Sequence, residues 1–125
     1  MKIAIIGSRL FSGMSKISDY LDENLMSLSD LTIVSGGAAG VDAAAKSYAL
    51  KRNISFIELK ADWRSFGRAA GPVRNKKIVD MVDKVYAFWD GQSKGTLHVI
   101  EYAGKLGKPC LVLKNVDDEL VSILP

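Results

Sequence analysis

The chain has 125 residues, 48% of them hydrophobic, which fits one domain whose core needs neither disulfide nor metal. Seventeen basic and 14 acidic side chains leave a formal net charge of +3, too mild by itself to mark a nucleic-acid binder. The lone cysteine, Cys110, excludes an internal disulfide, no apolar stretch approaches the ~20 residues of a membrane span, and the start lacks the length and cleavage site of a secretory signal, so a cytoplasmic protein without a membrane partner is expected.

Apolar runs and helical stripes alternate along the chain. Residues 3–6 end in Gly7, the pattern of a parallel strand buried on both faces. Residues 15–28 put Ile17, Tyr20, Leu21, Leu25 and Leu28 on one helical face. A second strand is predicted over 31–34, an alanine-rich helix over 41–52 and a third strand over 54–57. Residues 60–73 lack clear periodicity and predict a polar, basic loop carrying Trp63 and Phe66. A helix over 73–82, a strand over 84–89, a helix over 96–106 stopped by Gly107 and Pro109, and a strand over 110–113 follow. Residues 117–124 predict a short final helix.

Five strands alternating with helices imply a three-layer α/β/α sandwich around a mainly parallel sheet, in the expected order 3-2-1-4-5. One domain spans 1–125, with no repeat or linker in view. Ligands of such sheets sit beyond the carboxyl ends of the strands, where the winding direction switches. The first, second and fourth strand ends would then lie side by side.

Those three ends carry glycine- and hydroxyl-rich turns. They are Gly7-Ser8-Arg9, Ser35-Gly36-Gly37-Ala38-Ala39-Gly40-Val41-Asp42 and Asp90-Gly91-Gln92-Ser93-Lys94-Gly95-Thr96. Backbone N–H groups at a helix start attract anions, and glycine lets a ligand approach them closely. Three such turns together point to one phosphate-binding crevice. The second reads S-x-G-x-x-G and departs from the dinucleotide fingerprint at its first glycine, although Glu58 holds the usual ribose-acid position. It also follows the second strand rather than the first, which argues against the standard dinucleotide mode. Small residues at these positions equally suit close packing of helix on sheet.

Several side chains carry two readings each. Asp42, in the first turn of a helix, suits the helix dipole or accepts ribose hydroxyls. Arg9 is placed to hold a phosphate through paired N–H groups. Between residues 60 and 77, Lys60, Arg64, Arg68, Arg74, Lys76 and Lys77 are opposed only by Asp62. Trp63 and Phe66, interleaved among them, suit base stacking or anchoring in the core. Arg74 and Asn75 open a helix and are ligand candidates. Ser93 and Thr96 offer hydroxyls to a ligand or to a helix cap. His98 reads as structural. No metal-ligand spacing and no nucleophile–base pair is legible, so neither metal nor cofactor is expected and no catalytic residue is assigned.

In combination these blocks resemble the SLOG superfamily, the Rossmann-like domains that join DprA/Smf DNA-processing proteins to LOG phosphoribohydrolases. Within it the chain is similar to the small single-domain YspA-like branch of phages and bacteria. The resemblance runs through residues 5–9, 34–42, 61–63, 67–75 and 87–96. It implies a pocket for a nucleotide or nucleotide-derived ligand, such as a nucleoside monophosphate, ADP-ribose or a cyclic relative. Turns and resemblance together assign ligand contacts to Gly7, Ser8, Arg9, Ser35, Gly36, Gly37, Gly40, Asp42, Trp63, Arg74, Asn75, Asp90, Ser93, Gly95 and Thr96. The resemblance also implies a homo-oligomer, a dimer or higher.

LOG enzymes carry the motif P-G-G-x-G-T-x-x-E, and its glycine–threonine part resembles Gly95-Thr96 here. The position of its glutamate holds Val99, while Arg74 corresponds to the family's arginine. The expected function is therefore capture of a nucleotide-like small molecule, as sensor, carrier or sponge. An N-glycosidic phosphoribohydrolase or transferase using Asp42 or Asp90 is the alternative. DprA-like single-stranded DNA binding ranks third, because the charge is mild and no extra nucleic-acid domain accompanies it.

Overall fold

Residues 1–123 are described by the computed structural model. Six strands form one sheet: β1 (Lys2–Gly7), β2 (Thr32–Gly36), β3 (Ser55–Leu59), β4 (Lys84–Phe88), β5 (Cys110–Val116) and β6 (Glu119–Ile123). The helices are α1 (Ile17–Leu25), α2 (Val41–Lys51), the short α3 (Trp63–Phe66), α4 (Ala70–Met81) and α5 (Lys94–Lys105). The sheet order is β3-β2-β1-β4-β5-β6, parallel throughout except for β6.

The unbroken apolar run of β1 follows from its central place. Ile3 and Ile5 point to one face, where they pack with Leu21 of α1 and Ala45 of α2. Ala4 and Ile6 point to the other, where they meet Val79 of α4 and Val99 of α5. Each buried isoleucine contributes about 1.5–3 kcal/mol relative to an exposed one. The chain leaves β1 for β2 on one side and later crosses to β4 on the other. That change of direction opens a crevice at the carboxyl ends of the central strands.

Two expectations need correction. Residues 117–123 form no helix. Asp117 and Asp118 both take positive φ, 48° and 65°. That is the geometry of a tight hairpin turn, and aspartate tolerates it better than most side chains. β6 then pairs antiparallel with β5, adding a sixth strand to the five expected. Leu124, the last residue of the predicted helix, lies outside the described residues.

The predicted loop over 60–73 is also largely helical. Asp62 caps α3 by accepting the Ser65 N–H at 3.1 Å, and a 3-10 turn, Gly67–Ala69, leads into α4. That helix begins at Ala70, three residues before the predicted start. Pro72 sits in its first turn, where a missing N–H costs the helix nothing. The proline had hidden the helix start.

Candidate functional site

A cleft of about 640 Å³ lies over the carboxyl ends of β1, β2 and β4. That is the size range of small-molecule sites. Of the side chains and glycines singled out in the sequence, it is lined by Gly7, Arg9, Gly36, Asp42, Trp63, Arg74, Asn75, Asp90, Ser93, Gly95 and Thr96. Ser8, Ser35, Gly37 and Gly40 stand outside the lining.

Those four are structural neighbours of the cleft. The Ser8 N–H donates to the Phe88 carbonyl at 3.0 Å, and its hydroxyl accepts the Asp90 N–H at 3.1 Å. It thereby ties the end of β1 to the end of β4. The fully buried Ser35 hydroxyl donates to the Ile5 carbonyl. Gly37 lies beside Lys60 and Glu58, toward β3. Gly40, with φ of +78°, carries the backbone of Arg9 so closely that a Cβ would stand 2.7 Å from the Arg9 Cα.

The cleft wall contributed by α4 is built around Arg74. Its Nε donates to Asn75 Oδ1 at 2.9 Å and its Nη1 to the Leu59 carbonyl at 3.3 Å. Asn75 in turn donates to the Gly95 carbonyl at 3.4 Å, joining α4 to the start of α5. Five N–H groups make up a guanidinium, so donors remain after these bonds. Among the described residues no carboxylate stands within ion-pairing distance of Arg74, Arg9 or Lys94.

Asp42 is only 6% exposed, yet it borders the cleft. Its Oδ2 accepts the Ala38 N–H at 3.2 Å, which folds the glycine-rich loop back over the start of α2. Burial pushes its carboxyl above the usual carboxylate range, against the pull of the Ala38 N–H and of the Arg74 charge. Asp90 behaves oppositely. Its Oδ1 accepts the N–H groups of Ser93 and Gln92, each at 2.8 Å, and these hold its carboxyl below the usual range. It is occupied in shaping its own turn.

Ser93 is the N-cap of α5, its hydroxyl accepting the Thr96 N–H at 3.4 Å. Leu97 donates to the Ser93 carbonyl. The N–H groups of Lys94 and Gly95 find no partner among the described residues. Nothing lies within 4 Å of where a Gly95 Cβ would sit. The start of α5 thus offers two donors beside open space, as an anion site requires.

Sequence reading missed Leu10 and the floor residues Ile6 and Ile78, while Val99, singled out by its place in the LOG-like motif, does lie in that floor. Ile6 and Ile78 carry ordinary core periodicity, so nothing marks them as cleft-facing. Leu10 follows Arg9 directly, and adjacency to a candidate was its only signal. His98 also lines the cleft, and its Nδ1 is shielded without a hydrogen-bond partner. Among the described residues no group of three or more His, Cys, Asp or Glu side chains could hold a metal, and no helix is long and apolar enough to cross a membrane.

A parallel sheet wound in both directions, with a glycine-lined crevice at the switch, defines a Rossmann-like α/β domain. The model of the family described as the YspA, cpYpsA-related SLOG family matches residues 1–66, and the chain belongs to that family. No curated protein matches the sequence. Among solved structures, DNA processing protein A (DprA) from Streptococcus pneumoniae is similar at a TM-score of 0.72 and 23% identity, over 89% of this chain and 49% of that one. DNA processing protein A from Helicobacter pylori, described for its single-stranded DNA binding mode, is similar at 0.70 and 23% identity, over 96% of this chain and 68% of that one. At these identities the likeness is one of fold. The chain spans about half the length of the pneumococcal protein.

Proposed function

We propose that the cleft captures a nucleotide or nucleotide-derived ligand, in the class of nucleoside monophosphates, ADP-ribose and its cyclic relatives, and that the protein acts by holding it. The observation that carries this reading is Arg74. Its guanidinium is aimed by Asn75 and the Leu59 carbonyl, lacks a carboxylate partner among the described residues, and shares the cleft with the unpaired N–H groups of α5. A guanidinium and a helix start converging on open space suit a phosphate. Membership of the SLOG family supports the same reading. Val99, buried in the cleft floor, supports capture over glycosidic cleavage, because it stands where the LOG enzymes have a carboxylate.

Titration calorimetry against nucleoside monophosphates, ADP-ribose and cyclic ADP-ribose isomers tests the proposal. Binding that Arg74→Ala weakens at least about tenfold is expected. No heat with any of these ligands at millimolar concentration overturns it. Association into a homodimer belongs to the same proposal and is read by light scattering.

Single-stranded DNA binding is the second reading, favoured by the exposed cations Arg64, Arg68, Lys76 and Lys77 on α3, α4 and the turn between them. Its signature is affinity for an oligonucleotide that falls steeply with salt. A flat salt titration counts against it.

A further inference from the structure

Leu10 is 88% exposed, the most exposed large apolar side chain among the described residues, although its neighbour Phe11 is 4% exposed. The segment around it is not loose. The Arg9 backbone rests on Gly40, Phe11 packs edge-on against Phe88 at 5.7 Å, and Ser12 accepts from Asn115 at 3.2 Å. Anchored on both sides, Leu10 is presented at the cleft it lines.

Trp63, 61% exposed, lines the same cleft from α3. Its indole lies over Gly71, where a Cβ would stand 3.8 Å from the ring. Gly71 and Arg74 are three residues apart on α4, on one face and separated by about 4.5 Å along the axis. The tip of the indole therefore lies against the same face of α4 that carries Arg74, and both line the cleft. Two exposed apolar groups from different elements beside a row of unpaired donors make a mixed site. A nucleotide has the matching mixture, with an apolar-faced heterocycle joined through a sugar to a phosphate.

We propose that Trp63 and Leu10 hold the heterocyclic base of the captured ligand, so that intact nucleotides, and not phosphorylated sugars, are the class this cleft selects. The inference rests on the reading of the cleft as a phosphate site and adds the half of the ligand that the glycine-rich turns do not touch.

Calorimetry with the four ribonucleoside monophosphates, ADP-ribose, cyclic ADP-ribose isomers and ribose 5-phosphate tests it, in the wild-type protein and in Leu10→Ser, Trp63→Ala and Trp63→Phe. At least one base-bearing ligand is expected to bind about tenfold or more tightly than ribose 5-phosphate. Trp63→Ala is expected to remove most of that advantage and Leu10→Ser a smaller part. Both should leave ribose 5-phosphate binding unchanged within about twofold, and Trp63→Phe should restore the preference. Leu10 is too exposed for its change to unfold the protein, so that arm stands even if the tryptophan variants fold poorly. If ribose 5-phosphate binds as tightly as every nucleotide, or if Leu10→Ser and Trp63→Ala weaken both classes equally, base recognition is overturned while phosphate capture stands. If no probe binds, both readings fall.

Discussion

Arg74 and Asp42 approach each other across Gly36 without forming an ion pair. A Cβ on Gly36 would stand 2.6 Å from Arg74 Nη1 and 2.7 Å from Asp42 Oδ2. The glycine keeps an opening between a cation and a buried carboxylate at the cleft. Gly36→Ala fills it, and of the two neighbours the long Arg74 side chain is the one that can swing aside, Asp42 being buried and held by the Ala38 N–H. The variant is expected to fold, with a melting temperature a few degrees lower, and to lose nucleotide affinity by about tenfold or more through the displaced guanidinium. Thermal melts and calorimetry on one preparation separate the two effects, and unchanged affinity would refute the role given to this opening.

Gly95→Ala is the complementary probe. The added methyl meets nothing within 4 Å. Alanine is the better helix former, so stability should hold or rise by up to about 1 kcal/mol. Affinity for phosphate-bearing ligands should nevertheless fall, because the methyl occupies space beside the unpaired donors of α5. A variant that is stable and binds normally would place the phosphate elsewhere.

Asp42 makes stability depend on pH. Its folded-state carboxyl lies above the ordinary 3.8, with burial the largest cause. The native state therefore holds its proton to higher pH than the unfolded chain. The stability this confers is full below pH 3.8 and is lost as pH rises through the folded value. Asp42→Asn removes the ionisation while keeping an acceptor for the Ala38 N–H. Denaturant melts should find the variant more stable than wild type at pH 7, with the gap closing on acidification. A constant gap across that range would contradict burial as the dominant influence.

Tyr48 supplies an alkaline counterpart. Burial first, and then its hydrogen bond to Asp22 at 2.9 Å, push its hydroxyl up to about 12. Stability gained from this group is full below pH 10 and is lost as pH rises toward 12. Asp22 also takes two bonds from Arg52, at 2.6 and 2.8 Å, joining α1 to α2. In Asp22→Asn, ultraviolet titration should show a tyrosine ionising at lower pH than in wild type, though still above 10 because burial remains. Superimposable titration curves would contradict the assignment.

The end of α4 depends on one distant side chain. Lys108 Nζ donates to the carbonyls of Val79, Asp80 and Val82 at 2.6, 2.8 and 2.9 Å. No basic residue of α4 itself occupies its last turn. Lys108→Met leaves those acceptors without the ammonium and is expected to cost about 1–3 kcal/mol. An unchanged thermal midpoint would show that water replaces the lysine fully.

The sheet order was legible because strands alternate with helices along the chain and right-handed crossovers leave few topologies. Ile3 to Ile6 leave no doubt of burial on both faces, and Gly7 marks where the run stops. The final hairpin was not legible, since Leu120 and Ile123 fit a helical stripe as well as a strand. The positive φ of Asp117 and Asp118 decides between them, and aspartate pairs carry that preference only weakly. In the site, charged and glycine positions were visible from spacing. Their division of labour was not: Asp90 and Asp42 look alike in sequence, yet one carboxylate is spent on its own turn and the other is buried beside an arginine. Leu10 carried no pattern at all, because its meaning lies in the exposure that folding leaves it.

The hairpin of β5 and β6 reaches back to the first turn of the chain. Asn115 bonds Ser12, Lys16 pairs with Asp118 at 3.5 Å, and a Cβ on Gly13 would touch Leu120 at 3.0 Å. The segment bearing Arg9 and Leu10 is thus moored at its far end to residues more than a hundred positions away. Variation in that hairpin can retune the mouth of the cleft while every residue lining it stays the same.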